Sequence, residues 1–143
     1  MNNKTLAIIK PDAVRDNKIG EIIAMITQAG FKIKAMKMVR LNKQTAEGFY
    51  EIHKERSFFG ELIDYMTSGP CVPISLEKEN AVEDYRKLIG ATDPAKAADG
   101  TIRKLFARNI QFNAVHGSDS DANAEKEINH FFSRKELLEN YSD

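Results

Sequence analysis

Asn113-Ala-Val-His-Gly-Ser-Asp-Ser120, with the helix-patterned run behind it from Ala122 to Phe132, decides how the chain is read. Phe112 to Val115 is a short apolar run of strand type. His116 comes directly after it, Gly117 lets the backbone turn without a Cβ clash, and a helix begins near Ser120-Asp121. On that helix Ala124, Ile128 and Phe131 form the inward stripe, since residues three and four apart share a face. A strand handing over to a helix through a tight polar turn points to an α/β arrangement, with helices packed on a sheet.

The rest of the chain alternates in the same way. Leu6 to Ile9 is an apolar run closed by Lys10-Pro11, consistent with a buried strand. Ile19 to Ala29 is a helix with Ile19, Ile22, Ile23 and Ile26 on one face and Gly30 as its cap. Phe31 to Leu41 alternates as a long half-buried strand. Thr45 to His53 and Phe59 to Met66 are two short helices. Val72 to Leu76 is a strand; Pro73 inside it cannot donate to a ladder, which argues for an edge position or the strand's first residues. Ala81 to Ile89 is a helix, 90–100 a loop, and Thr101 to Ala107 a short helix. The order β-α-β-α-α-β-α-β-α suits an α/β sandwich, and a ferredoxin-like split β-α-β core is its economical form. Residues 1–132 make one domain and 133–143 a polar tail, which contacts with another subunit would order.

The 143 residues suit a single core. A hydrophobic share of 42% and a charged share of 29% describe an ordinary globular protein. Lysine plus arginine equals aspartate plus glutamate at 21 each, so no bulk basic field draws in nucleic acid. The first apolar run is too short for a signal sequence or a membrane span. The one cysteine, Cys71, excludes an intramolecular disulfide and a cysteine-built zinc site. It reads as a small buried hydrophobe, and the cytoplasm is the expected compartment.

Of the three histidines, His53 ends a polar helix and His130 adjoins Phe131-Phe132, so packing or solvated roles suit both. His116 sits at a strand end, where a ligand can reach its ring and where the next helix presents N-terminal amides to an anion. A histidine that merely caps the helix is the alternative. Glu127 bears on the choice, because it falls between Ala124 and Phe131 on the inward side. A carboxylate facing inward is costly without a partner, and the imidazole N–H on the loop opening the same helix is the nearest. Such a carboxylate would hold one ring nitrogen protonated and free the other to attack, with Ser118 able to bridge the two. Stabilisation by the helix dipole would explain the charge of Glu127 but not its direction.

No Walker-A loop, G-x-G-x-x-G or H-E-x-x-H is present, and zinc on His116, Asp119 and Asp121 would lack a second histidine or cysteine. Phosphoryl transfer fits better, since it needs positioning and positive charge above all. Lys10 at the end of the first strand, and Arg86 and Arg103 at the borders of apolar stripes, stand where a cleft would need them. Each could equally be a solvated surface charge.

These stretches, taken together, resemble nucleoside diphosphate kinases. The run 113–120 looks like the family's active-site signature. Thr5-Leu-Ala-Ile-Ile-Lys-Pro-Asp12, Gly48 to Arg56, Phe58-Phe-Gly60, Met66 to Pro70, Gly90 to Pro94 and Gly100 to Arg103 follow in the family's order. The resemblance implies a ferredoxin-like βαββαβ core with a four-stranded antiparallel sheet covered by helices. It implies that His116 takes the γ-phosphate from a nucleoside triphosphate and passes it to a diphosphate, with Glu127 and Ser118 orienting its ring. Lys10, Arg86, Thr92 and Arg103 would hold phosphates, Lys10 and Asn113 the ribose, and Phe58 the base with Leu62 on its flank. Tyr50 would lie near the phosphate. Mg²⁺ would ride on phosphate oxygens, with at most a water-mediated tie to Asp119.

ATP and other nucleoside tri- and diphosphates are the implied partners, and a homotetramer or homohexamer the implied assembly, with neither nucleic acid nor membrane involved. Stacking on a π-face is tolerant of sequence, so low base specificity follows. Ser57 and Asp99 stand where the family often has proline, which loosens two loops at a cost of ~0.4–1 kcal/mol each. The second loop lies where the family's subunits often meet. A phosphohistidine carrier fed by a protein partner, or an idle relative acting by binding, are the alternatives; Phe58, Arg86, Thr92, Arg103 and Asn113 weigh against a carrier, which needs no base platform or ribose contacts.

Overall fold

Leu6 to Ile9 is apolar at every position because both faces of its strand are covered. The computed structural model describes residues 3–137. Four strands, β1 (Lys4–Ile9), β2 (Lys32–Met36), β3 (Val72–Glu77) and β4 (Val115–Gly117), form one sheet in the order β2-β3-β1-β4. Every adjacent pair is antiparallel. The helices are α1 (Pro11–Arg15), α2 (Ile19–Gln28), α3 (Lys43–Phe49), α4 (Phe59–Met66), α5 (Ala81–Ile89), α6 (Ile102–Phe106) and α7 (Asp121–Phe131).

Successive side chains of a strand point to opposite faces. Ala7 and Ile9 therefore pack with Ile22 and Ile26 of α2 and with Tyr85 and Ile89 of α5. Leu6 and Ile8 pack on the other face with Ala46, Ile63, Met66, Ile128 and Phe131 from α3, α4 and α7. With α2 and α5 on one face as crossovers, this is the ferredoxin-like βαββαβ core, four antiparallel strands covered by helices.

Several boundaries differ from the expectations, each for a local reason. The long strand over 31–41 stops at Met36. Its register slips at Ile33/Ala35, leaving Lys34 as a bulge, and beyond Met36 only Val39 keeps a bridge, to Cys71. Pro73 meets the second of its two expected settings rather than the first: β3 lies inside the sheet, with Pro73 as its second residue. A residue of an antiparallel strand turns its N and O to the same side. The Pro73 carbonyl accepts from Lys37 N (3.3 Å), so its missing N–H faces the end where the β2 ladder has stopped and no donor is needed. The helix expected over 45–53 is α3 followed by a 3₁₀ turn, Glu51–His53. It starts earlier because Asn42 and Thr45 form a capping box. α1 has no counterpart among the expected elements, although Pro11 at its first turn is a start signal.

The last strand is displaced most. It covers Val115–Gly117 rather than 112–115, so His116 lies inside β4 opposite Ile8. Asn109 Oδ1 accepts from the Gln111 and Phe112 amides, and Ala114 takes a left-handed φ of +74°; both hold the chain off the sheet until Val115. Beyond α7, residues 133–137 fold back within the chain, where Ser133 N donates to Glu136 (2.9 Å) and Lys37 pairs with the same carboxylate (3.0 Å). The rest of the expected tail, 138–143, lies outside the described residues.

Candidate active site

Strand pairing with Ile8 fixes the backbone of His116, and two contacts fix its ring. Nε2 lies 2.9 Å from Glu127 Oε1, and the Phe49 ring stands edge-on at 5.4 Å between centroids. A carboxylate can only accept, so Nε2 carries the hydrogen and Nδ1 keeps its lone pair. Ser118 Oγ donates to the same Oε1 at 2.7 Å and accepts from Leu6 N at 3.1 Å. Ser118 therefore does not bridge histidine and glutamate; it ties the glutamate to β1. Glu127 enters from the second turn of α7, whose N-cap Ser120 accepts from Asn123 N, and its side chain is 19% exposed against 17% for His116. The inward direction inferred from the stripe is the one observed.

Gly117 serves a different purpose from the one expected. Its φ is not positive; a Cβ there would stand 2.9 Å from the Tyr85 ring and 3.1 Å from Ile89. The glycine lets α5 approach β4, so the reason is contact rather than turning.

Around the histidine the backbone is tightly wound. Val115 N donates to Asn113 O at 2.8 Å, an i to i+2 bond that, with the positive φ of Ala114, makes a strained γ-turn. Lys10 N donates to Ala114 O at 2.8 Å, and Lys10 Nζ to Asn113 Oδ1 at 2.9 Å. Asn113 Nδ2 reaches Thr92 O at 3.4 Å. Arg103, nearly buried, donates through Nη1 to Gly90 O (3.0 Å) and through Nη2 to Val115 O (2.8 Å). Its Nε has no partner. Helix α6, through Arg103, and the loops carrying Thr92 and Asn113 are thus stitched to one another and to the strand of His116. A cavity of about 480 Å³ is lined by Arg86, Gly90, Thr92, Thr101 and Arg103 among others.

Three cations in this region oppose one another. Burial first, and the charge of Arg103 second, pull the Lys10 ammonium down to about 8, with Asp12 opposing. Burial also lowers Arg103, and Arg86 adds to it. Packing like charges together is unfavourable unless an anion joins them, so the cluster is shaped for a multiply charged anionic group.

The remaining predicted residues fall at the margins. Phe58, 46% exposed, lies 5.8 Å from the His53 ring, and Leu62 half-buries against the core one turn on. Tyr50 is buried and its hydroxyl has no partner. Burial, then Cys71 and Glu127, push that phenol above its ordinary range. Asp119 is exposed and accepts from Asn123 Nδ2 at 2.7 Å. His130 approaches Thr45 O at 3.2 Å and meets the Phe49 and Phe131 rings, and Cys71 is buried with its thiol pushed up to about 11; both have the packing roles expected.

Phe49 and Asp12 carry contacts that the sequence reading missed. Asp12 is buried and accepts from Ala114 N at 3.1 Å and from Tyr65 OH. Its place in Lys10-Pro-Asp12, two residues after the first cation of the cluster, was the signal the sequence offered.

A ferredoxin-like sheet carrying a histidine bonded to a carboxylate, with cations clustered at the same end, makes a site suited to a phosphate group. The family model for nucleoside diphosphate kinase matches residues 3–137. The nucleoside diphosphate kinases of Chloroherpeton thalassium and Salinibacter ruber are 61% and 56% identical over 137 residues, covering 96% of this chain and 97% and 96% of theirs. Among solved structures, Aquifex aeolicus nucleoside diphosphate kinase superposes with a TM-score of 0.94 at 42% identity, over 96% of this chain and all of that one. A Halobacterium salinarum nucleoside diphosphate kinase in complex with CDP gives 0.94 at 33% identity, over 100% of this chain and 95% of that one. The chain belongs to the nucleoside diphosphate kinase family. It is a phosphotransferase acting between nucleotides.

Proposed function

We propose that transfer runs by a ping-pong mechanism through a phosphohistidine at His116. The observation that carries this reading is the Nε2–Glu127 bond of 2.9 Å, because it leaves Nδ1 as the nucleophilic nitrogen. In the first half-reaction the Nδ1 lone pair attacks the γ-phosphorus, the bond from that phosphorus to the β,γ-bridging oxygen breaks, and the diphosphate leaves with the electron pair. The ring then holds a hydrogen on Nε2, a phosphoryl group on Nδ1 and a positive charge, which the Glu127 carboxylate stabilises. In the second, a terminal oxygen of the incoming diphosphate attacks the same phosphorus and the N–P bond breaks. Ser118 keeps Glu127 in place throughout.

Lys10, Arg86, Thr92 and Arg103 hold the phosphates, in keeping with the mutual repulsion of the three cations when no anion joins them. Lys10 and Asn113, already bonded to each other, take the ribose hydroxyls. The base stacks on Phe58 beside Leu62, with little discrimination because any base offers a π-face. The CDP bound to the Halobacterium relative is one such ligand. Tyr50, a buried hydroxyl without a partner, stands near the phosphate.

Mg²⁺ neutralises phosphate charge and draws electrons from the transferred group when bound. Mg²⁺ would be held by the nucleotide phosphates, with Asp119 reaching it at most through water. No helix among the described residues is long and apolar enough to cross a membrane. We place the enzyme in the cytoplasm as a homotetramer or homohexamer, with 1–132 as its catalytic domain.

A covalent intermediate requires partial exchange. Labelled ADP should appear in ATP with no second nucleotide present, and initial-rate plots against both substrates should be parallel. Intersecting plots without exchange would mean direct transfer and would overturn the reading.

A further inference from the structure

We infer that Asp12 is a positioning residue for the transfer: its buried carboxylate holds the strained turn at Ala114 that sets Asn113 and His116 beside Lys10. The inference rests on His116 being the phosphate carrier. Three elements distant in sequence meet at this side chain. It belongs to α1, accepts from Tyr65 OH on α4, and accepts from Ala114 N just before β4. Its exposure is 1%, and burying a carboxylate is unfavourable unless donors satisfy it.

The position of those donors argues for more than packing. Ala114 is gripped on both sides by one short segment, its carbonyl by Lys10 N at 2.8 Å and its amide by Asp12 Oδ2 at 3.1 Å. A non-glycine residue at φ +74° persists only where its surroundings over-determine it. Released from that grip, Ala114 would relax toward ordinary φ. Asn113, two residues before a strand that starts only at Val115, would then lose its line to Lys10 Nζ, and the entry of His116 into the sheet would loosen.

Tyr65 secures the other oxygen. Burial, then its bond to Asp12, push the phenol far above its ordinary range, so it remains a donor. Asp12 also acts through charge. Lys10 is faced by Arg103 from α6 and by Asp12 from α1, with neutral Asn113 as its hydrogen-bond partner. Burial and Arg103 lower its pKa to about 8, and Asp12 opposes that fall. Removing the charge of Asp12 therefore lowers the pKa of Lys10 further, and nucleotide phosphates lose their cation at a lower pH.

The two effects separate in two variants of the full chain, each checked by circular dichroism. Asp12→Ala loses both and should slow phosphorylation of His116 by saturating ATP about tenfold or more. Asp12→Asn keeps the shape and an acceptor for Ala114 N but drops the charge. It should recover most of that rate, while its nucleotide KM should start to rise at lower pH than in the unmodified enzyme, where deprotonation of Lys10 at about 8 would set the rise. If Asp12→Ala does not fold, Asp12→Asn decides through its pH profile, which a merely structural role would not move. An Asp12→Asn enzyme with an unchanged KM profile, or a folded Asp12→Ala enzyme phosphorylated at the unmodified rate, overturns the inference alone. An unmodified enzyme that takes no label from ATP overturns the phosphohistidine reading and this inference with it.

Discussion

The His116 ring has one nitrogen free because the other is occupied by Glu127. Glu127 Oε1 receives both His116 Nε2 and Ser118 Oγ, so a single oxygen sets the tautomer, and Phe49 limits rotation of the ring. Glu127→Gln would keep an acceptor but lose the negative charge that balances the phosphorylated ring. The first half-reaction should then slow by about 10–100-fold, as when other histidine-orienting carboxylates are removed, with little change in melting temperature; stopped-flow phosphorylation by ATP measures it. A rate within twofold of the unmodified enzyme would remove Glu127 from the orienting role. Glu127 was legible in the sequence because a helical stripe tells which way a side chain points. Asp12 was not, because its partners Tyr65 and Ala114 are 53 and 102 residues away and no periodicity links them. Ser118 was legible as polar and nearby, but its bond to Leu6 N depends on the pairing of β1 with β4, which no local pattern shows.

Elements were legible where one rule governed them and blurred where two competed. α5 and α4 begin and end where their stripes do, since each buries one face against a sheet already covered on that side. β2 and β4 were misplaced because strand propensity gave way to turn chemistry: a bulge at Lys34 shortened the first, and Asn109 with left-handed Ala114 delayed the second. The loop before α6 shows turn chemistry open to improvement. Thr101 N donates to Ala98 O (3.3 Å), and Gly100 has φ +85°, the pattern of a type II turn with Asp99 at the position where proline is favoured. Asp99→Pro should stabilise the protein by ~0.4–1 kcal/mol through the unfolded state, raising Tm by about 1–3 °C for a chain of this size. Calorimetry showing a lower Tm would mean that the Asp99 backbone is not free to take the proline φ.

At the scale of the whole molecule, the sheet order β2-β3-β1-β4 carries the function. It sets β4 against β1, so the residue after β1, Lys10, meets the turn before β4, and α5 and α6 bring Arg86 and Arg103 to the same end. The alternation of strands and helices in the sequence suited this topology, and resemblance selected it, but the convergence of Lys10, Arg103 and Asn113 depends on pairing across about a hundred residues. The central claim is that this convergence serves a covalent step at His116. The most direct test is incubation of the intact enzyme with ATP labelled on the γ-phosphate, followed by addition of GDP. An acid-labile, base-stable label on the protein that chases into GTP, and is absent from His116→Ala, is the result predicted. Label retained on His116→Ala, or label that does not pass to GDP, would contradict it.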